Sequence, residues 1–169
     1  MNNPREQFSL IYDQYINAIY RFVYLKVSLQ ETAEDITSRV FIKAWQSYQK
    51  DAQSIQNMNA FLYRIAGNLV IDHYREKDKK STISTESLAQ LADDRTSIHE
   101  RAMINADIDK MKAALVGVKK EYQDVIIWYY LEDMSAEEIT LLTGKPPGTV
   151  RVMIHRGLEM LREKLIEEV

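Results

Sequence analysis

The chain has 169 residues, 46% of them hydrophobic, with 5 Gly, 3 Pro, no Cys and a formal net charge of −3. This length allows one domain or two small ones, and the lack of Cys excludes a disulfide framework and thiolate metal sites. No apolar run approaches the ~20 residues that cross a bilayer, and no signal-peptide pattern opens the chain, so a cytoplasmic protein without membrane insertion is expected.

Phe8, Ile11, Tyr12, Tyr15, Ile19, Phe22 and Val23 recur at three- and four-residue spacing, which predicts a long amphipathic first helix. A second helix is predicted from about Glu31 to Tyr48. Ala33, Ile36, Val40, Phe41, Ala44 and Tyr48 form its inward side, and Asp35, Arg39, Ile42 and Gln46 line another. Gln49 to Asn57 reads as a polar loop. The third helix, about Asn59 to Lys77, should bury Phe61, Leu62, Ile65 and Leu69. Its opposite stripe holds Arg64, Asn68, Asp72, Arg75 and Lys79. Such a stripe is usually solvated surface, but Asn is a poor helix-interior residue and a basic cluster, Arg75, Lys77, Lys79 and Lys80, follows at once. Asn pairs well with base edges and a cationic end suits phosphate, so this face is a nucleic-acid candidate.

Residues 81–100, STISTESLAQLADDRTSIHE, are rich in Ser and Thr and poorly periodic. They hold one Arg against four acidic residues, Glu86, Asp93, Asp94 and Glu100. A structureless stretch of this size is unusual inside a compact domain, so an acidic, flexible linker over 81–103 is expected between domains at 1–80 and 104–169. The fold class follows as all-α, two small helical domains joined by that linker.

Ser135 and Glu138 are spaced as a capping box, and Ile139 and Leu142 follow as an inward apolar pair. Gly144 suits the left-handed residue that ends a helix, Pro146-Pro147 stops it running on, and Pro147 suits the first turn of the next. Val150, Ile154, Leu158, Leu161 and Leu165 then fall in one arc, the buried side of a second helix. Thr149, Arg151, Val152, His155 and Arg156 point the other way and place hydrogen-bonding and cationic groups near the helix N-terminus. That is the pattern of a helix-turn-helix whose second helix enters a major groove. An ordinary helical hairpin with a solvated charged face satisfies the same spacing, and both remain open on the pattern alone.

An acidic total is awkward for DNA binding, because phosphate neutralisation supplies most non-specific affinity. The charge is uneven, however. Residues 1–80 carry 11 Lys and Arg against 9 acidic residues, and residues 145–164 carry five against two. The three His (His73, His99 and His155) are scattered, and no Gly-rich phosphate loop or nucleophile elbow is present. No enzyme activity, cofactor or metal is expected.

Three blocks in order, AEDITSRVFIKAW at 33–45, AFLYRIAGNLVIDHYREK at 60–77 and MSAEEITLLTGKPPGTVRVMIHRGLEMLREKL at 134–165, resemble a bacterial RNA polymerase sigma factor of the extracytoplasmic-function group. The resemblance covers nearly the whole chain. It implies that the N-terminal domain docks through the second helix on the coiled coil of the polymerase's largest subunit, and that it opens and reads the minus-ten element. It implies that the C-terminal domain reads the minus-35 element as duplex and contacts the flap of the other large subunit. Asp35 and Phe41 match the docking motif, with Arg39 and Ile42 beside them. Here the chain departs from the family, which commonly has Gln and an acidic residue where this sequence has Ser38 and Arg39. Asn68 matches the Asn near the flipped minus-ten base, and the Gln49–Asn57 loop matches the segment forming that base's pocket. Asp72 belongs to the same minus-ten face, where Arg75, Lys77 and Lys79 are expected to hold phosphates. Arg151 and Arg156 match basic positions of the minus-35 helix, while Val152, Met153 and His155 sit where relatives vary and are expected to tune preference. The acidic linker resembles the segment that threads the RNA-exit path.

The resemblance also implies a monomer when free, promoter DNA and core polymerase as partners, and an anti-sigma factor as regulator. A sigma factor borrows the polymerase's basic channel, which reconciles a negative net charge with action on DNA. The alternatives are a stand-alone helix-turn-helix regulator with an N-terminal sensing or dimerisation domain, and a helical adaptor that binds no DNA. A regulator should dimerise and bind DNA alone, whereas a sigma factor needs core polymerase.

Overall fold

The computed structural model describes residues 3–79 and 98–167, and all regular structure among them is helical. The chain divides into two compact units, Met1–Ala106 and Asp107–Val169.

The first unit is built on three long helices, α1 (Pro4–Val27), α2 (Gln30–Asp51) and α3 (Met58–Lys79), each packed on the other two. Asn3 starts α1 by accepting the Arg5 N–H at 3.1 Å, and Pro4 occupies a first turn where a missing N–H costs nothing. Its C-terminal half is buried nearly all round, through Ile19, Tyr20, Phe22, Val23, Tyr24, Leu25 and Val27. The expected stripe is therefore incomplete, and Tyr12 within it is exposed. The reason is that α1 lies against two helices at once, so one arc does not suffice. On α2 the core face is Ala33, Ile36, Thr37, Val40, Phe41 and Ala44. Thr37 enters the core because its hydroxyl donates to the Ala33 carbonyl at 2.6 Å, leaving no unsatisfied polar group. Tyr48, expected inward, is half-buried and donates to Gln7 Oε1 at 3.0 Å.

The loop expected at Gln49–Asn57 is shorter, since α2 continues to Asp51 and a 3-10 turn covers Ala52–Ser54. The Asp51 side chain holds that turn by accepting the Gln53 N–H at 3.1 Å. Asn57 then caps α3, accepting the Ala60 N–H at 2.9 Å. The α3 core face is Ala60, Leu62, Tyr63, Ala66, Leu69 and Val70. Phe61 and Ile65, expected to be buried, are only half-buried. The helix is rotated so that Tyr63 meets Phe22 edge-on, ring centroids 5.3 Å apart.

Helix α4 (Ile98–Leu115) begins inside the 81–103 stretch expected as linker. Within the first unit its Asn105 is buried, accepting from the Tyr20 hydroxyl at 2.9 Å and donating to Gln30 Oε1 at 3.2 Å. A buried amide is tolerated because both ends are hydrogen-bonded. The rest of the expected linker, residues 81–97, lies outside the described residues.

In the second unit the end of α4 turns into α5 (Lys120–Ile126), with the Gln123 amide donating to the Leu115 and Val118 carbonyls at 3.0 and 2.8 Å. One π-helical turn, Ile127–Leu131, follows, closed by the Glu132 N–H to the Ile127 carbonyl at 3.1 Å. Helices α6 (Ala136–Thr143) and α7 (Pro147–Glu167) complete the unit, α7 packing on both α5 and α6. The α5–α7 crossing depends on Gly157, where an added Cβ would lie 2.5 Å from Ile126 Cδ1 and 3.1 Å from Tyr122 Cβ. Gly157→Val is expected to destabilise the fold by about 1–3 kcal/mol through overpacking, read as a lower denaturant midpoint. An unchanged midpoint would show that the two helices separate freely there.

Candidate nucleic-acid interface

Helices α6 and α7 form a two-helix motif closed by local hydrogen bonds. Ser135, extended at φ −72° and ψ 160°, accepts the Glu138 N–H on its Oγ at 3.1 Å. The Ser135 hydroxyl in turn donates to Glu138 Oε1 at 3.5 Å. Gly144 ends α6 in the left-handed region at φ 72°, its N–H reaching the Thr140 carbonyl at 2.8 Å. Thr143 supports the turn by accepting the Lys145 N–H at 3.2 Å, and Pro147 opens α7. Ile139 and Val150 are fully buried between the helices, and Leu142, Leu158 and Leu161 are half-buried. The side chain of Leu165 lies outside the described residues.

Thr149, Arg151, Val152, His155 and Arg156 are all exposed on α7. Met153 is not. It is only 6% exposed, so the expectation that it tunes sequence preference is overturned. Met153 stands three residues after Val150 and four before Gly157, which places it on the packed stripe. That spacing was visible in the sequence.

Two further contacts follow, one between helices and one within α7 at i,i+4 spacing. Arg151 Nη2 donates to Glu137 Oε1 of α6 at 2.8 Å, and His155 Nε2 lies 3.2 Å from Glu159 Oε1. Beside them an open cleft of about 420 Å³ is lined by Tyr129, Tyr130, Ser135, Glu137, Arg151 and His155 among others. The π turn buries Ile127 and Trp128 and leaves Tyr129 and Tyr130 exposed, rings edge-on at 4.9 Å. A helix-only reading of IIWYYL cannot find this, because the wider turn changes which side chains share a face.

In the first unit, Asp35, Arg39 and Ile42 lie exposed on α2, Ile42 at 57%. Arg39 Nη1 is 3.8 Å from Asp35 Oδ2, one turn away. Phe41 differs. It is 5% exposed, edge-on to Tyr12 at 4.9 Å, and backs this surface rather than forming it. With Phe8, Tyr12, Ile42 and Trp45 it lines an apolar groove of about 560 Å³ between α1 and α2.

On α3, Arg64, Asn68, Asp72 and Arg75 are exposed along one side, Lys77 is exposed away from that stripe, and the side chain of Lys79 lies outside the described ones. Nearby, the half-buried Phe61 and Ile65 line a groove of about 350 Å³ with Lys43, Gln46, Ser47 and Lys50 of α2. This apolar floor under two lysines joins residues from two helices, so periodicity within one helix did not reveal it. Tyr74 donates its hydroxyl to the Lys26 carbonyl, and partial burial raises its pKa above the ordinary phenol value. Among the described residues no group of His, Asp and Glu could hold a metal ion, and no helix is long and apolar enough to cross a membrane.

Residues 11–80 match the Sigma-70 region 2 family and residues 108–161 the Sigma-70 region 4 family. The chain is 31% identical over 171 residues to the extracytoplasmic-function (ECF) RNA polymerase sigma factor SigW of Bacillus subtilis, covering 95% of this chain and 90% of that protein. The chain belongs to the ECF sigma factors.

This sigma factor is also 24% identical over 163 residues to BldN of Streptomyces coelicolor, an ECF RNA polymerase sigma factor. That alignment covers 96% of this chain and 62% of BldN, so the chain spans less than two thirds of that relative's length. Among solved structures it resembles the sigma factor RpoE of Bartonella quintana, determined in complex with the anti-sigma factor NepR. The TM-score is 0.70 at 21% identity, covering 95% of this chain and 97% of RpoE, which shows a shared helical fold.

Proposed function

We propose that this sigma factor directs core RNA polymerase to specific promoters and initiates transcription there, acting in the cytoplasm as a binding subunit without catalytic activity of its own. The observation that carries the reading is the pairing, on one chain, of a region 2 helical unit with a region 4 helix-turn-helix whose second helix exposes Arg151 and Arg156. The matches to both regions in order favour it over a stand-alone regulator.

In this reading residues 1–80 form the domain that docks on polymerase and opens the minus-ten element, 81–103 connect, and 104–169 read the minus-35 element. Asp35, Arg39 and Ile42 supply the exposed docking surface for the coiled coil of the largest subunit, with Phe41 supporting it from below. The region 4 unit also contacts the flap of the other large subunit. Asn68 reads an unpaired minus-ten base, while Arg75, Lys77 and Lys79 hold phosphates and Asp72 borders the same face. The groove over Phe61 and Ile65, flanked by Lys43 and Lys50, has the apolar floor and cationic rim that suit an extruded base and its backbone. Thr149, Arg151, Val152, His155 and Arg156 face the minus-35 duplex. The RpoE–NepR complex supports an anti-sigma factor as the regulator of this chain; the free chain is read as a monomer.

The test is transcription from core polymerase plus this protein on a promoter library, followed by permanganate footprinting of the templates used. Promoter-dependent transcripts and reactive thymines near minus-ten are expected, and a chain that binds palindromic DNA alone without core would overturn the reading. Asn68→Ala should keep closed-complex binding and lower permanganate reactivity, because flipping costs a few kcal/mol that a base-reading group must offset. Equal reactivity in mutant and parent would remove Asn68 from the melting machinery.

A further inference from the structure

The contact between Glu137 and Arg151 joins the first helix of the helix-turn-helix to the second at 2.8 Å. Their side chains remain 65% and 62% exposed, so the pair adds little to stability and its value lies elsewhere. A guanidinium carries five N–H donors in one plane. Glu137 engages one Nη2 hydrogen, which leaves the other Nη2 hydrogen, both Nη1 hydrogens and the Nε hydrogen for a further partner. The carboxylate therefore restrains the fork and leaves enough donors for a bidentate pair with guanine O6 and N7.

We infer that Glu137 is a specificity-determining positioning residue: it holds the Arg151 fork for one guanine of the minus-35 element and keeps it off the phosphates. The inference rests on the assignment of α7 as the recognition helix. Two physical effects support it. An untethered Arg on a flexible stem reaches nearby phosphate oxygens, contacts that carry no sequence information. A carboxylate on the same face also repels phosphates, which weakens complexes held by backbone contacts more than those held by base contacts. Glu159 on α7 lies 3.2 Å from His155, one turn before it, so Glu137 and Glu159 serve different partners.

The experiment compares holoenzymes carrying the parent chain, Glu137→Ala, Glu137→Gln and Arg151→Ala on templates varied at each minus-35 position, at two salt concentrations. Glu137→Ala is expected to reduce discrimination at the Arg151-read position by at least about fivefold, while use of non-cognate templates stays level or rises. Glu137→Gln, which keeps an acceptor oxygen without the charge, should retain part of the discrimination and still gain on non-cognate templates. Discrimination is a ratio, so a modest loss of folded protein does not move it. Unchanged discrimination in Glu137→Ala, or an equal loss on all templates, overturns the role of Glu137. If Arg151→Ala relaxes preference and Glu137→Ala does not, only Glu137 is misassigned. If neither does, the assignment of α7 falls with it.

Discussion

Asp35→Arg should weaken assembly with core polymerase by about 2–5 kcal/mol, roughly thirtyfold to a few thousandfold in Kd. The side chain stands exposed on α2, so its replacement leaves the core face of Ala33, Ile36, Val40 and Ala44 untouched. Its ion pair with Arg39, at 3.8 Å, is solvent-exposed and contributes little to stability. The substitution puts two cations one turn apart, a destabilisation of a few tenths of a kcal/mol, far below the interface effect. A partner's positive group facing Asp35 would then meet repulsion in place of a charged hydrogen bond. The measurement is titration of core polymerase with labelled protein, paired with a thermal melt of the free chain. Parental affinity in a variant that melts normally would move the docking surface away from α2. Arg39 makes the result informative about the departure from the family pattern. Arg39→Glu, closer to that pattern, is the companion variant, and a tighter complex would show that Arg39 weakens docking.

Loss of Arg151 and Arg156 together should abolish selective use of the minus-35 element while sparing the fold. Both are exposed on α7, whereas Val150, Met153, Ile154 and Gly157 hold that helix in place. Arg151 lies near the helix N-terminus, and a bidentate pair with guanine makes its removal cost roughly 1–3 kcal/mol at one base position. Arg156, a turn further on, is expected to take a phosphate or mixed role, so its removal should lower affinity on every template and reduce the salt slope by up to about one. Transcription by reconstituted holoenzyme on templates varied through the minus-35 element, at two salt concentrations, separates the two effects. A double variant with parental activity and preference would mean that α7 does not read the promoter.

Much of this protein was legible before any coordinates, for reasons particular to its elements. Ser135, Gly144 and Pro147 each act through their own backbone or that of near neighbours, so cap, left-handed terminator and helix start could be placed by residue type. The exposed face of α7 followed from the same cause, because five apolar positions in one arc leave only one direction for Thr149, Arg151, His155 and Arg156. The order of the three sequence blocks identified the family, and the family matches at 11–80 and 108–161 agree with it.

Contacts between elements were beyond such reading. Periodicity describes one helix against an unspecified core, so it placed Phe61 and Ile65 inside, although α3 turns Tyr63, Ala66 and Val70 inward against α1 and α2 instead. The resemblance, rather than the spacing, set Met153 among the preference-tuning positions, although the α7 stripe buries it. The start of α4 at Ile98 was hidden by a polar sequence, and its buried Asn105 finds partners in Tyr20 and Gln30, 85 and 75 residues away. Glu137 carries no local signal of its own, since the capping-box spacing belongs to Glu138, and only the packing of α6 on α7 brings Glu137 to Arg151. The sequence by itself therefore determined helix identity, the helix-turn-helix and the family, since those depend on local backbone chemistry and spacing. The tertiary structure alone decided which exposed side chains act together, because that depends on how faces of different helices meet.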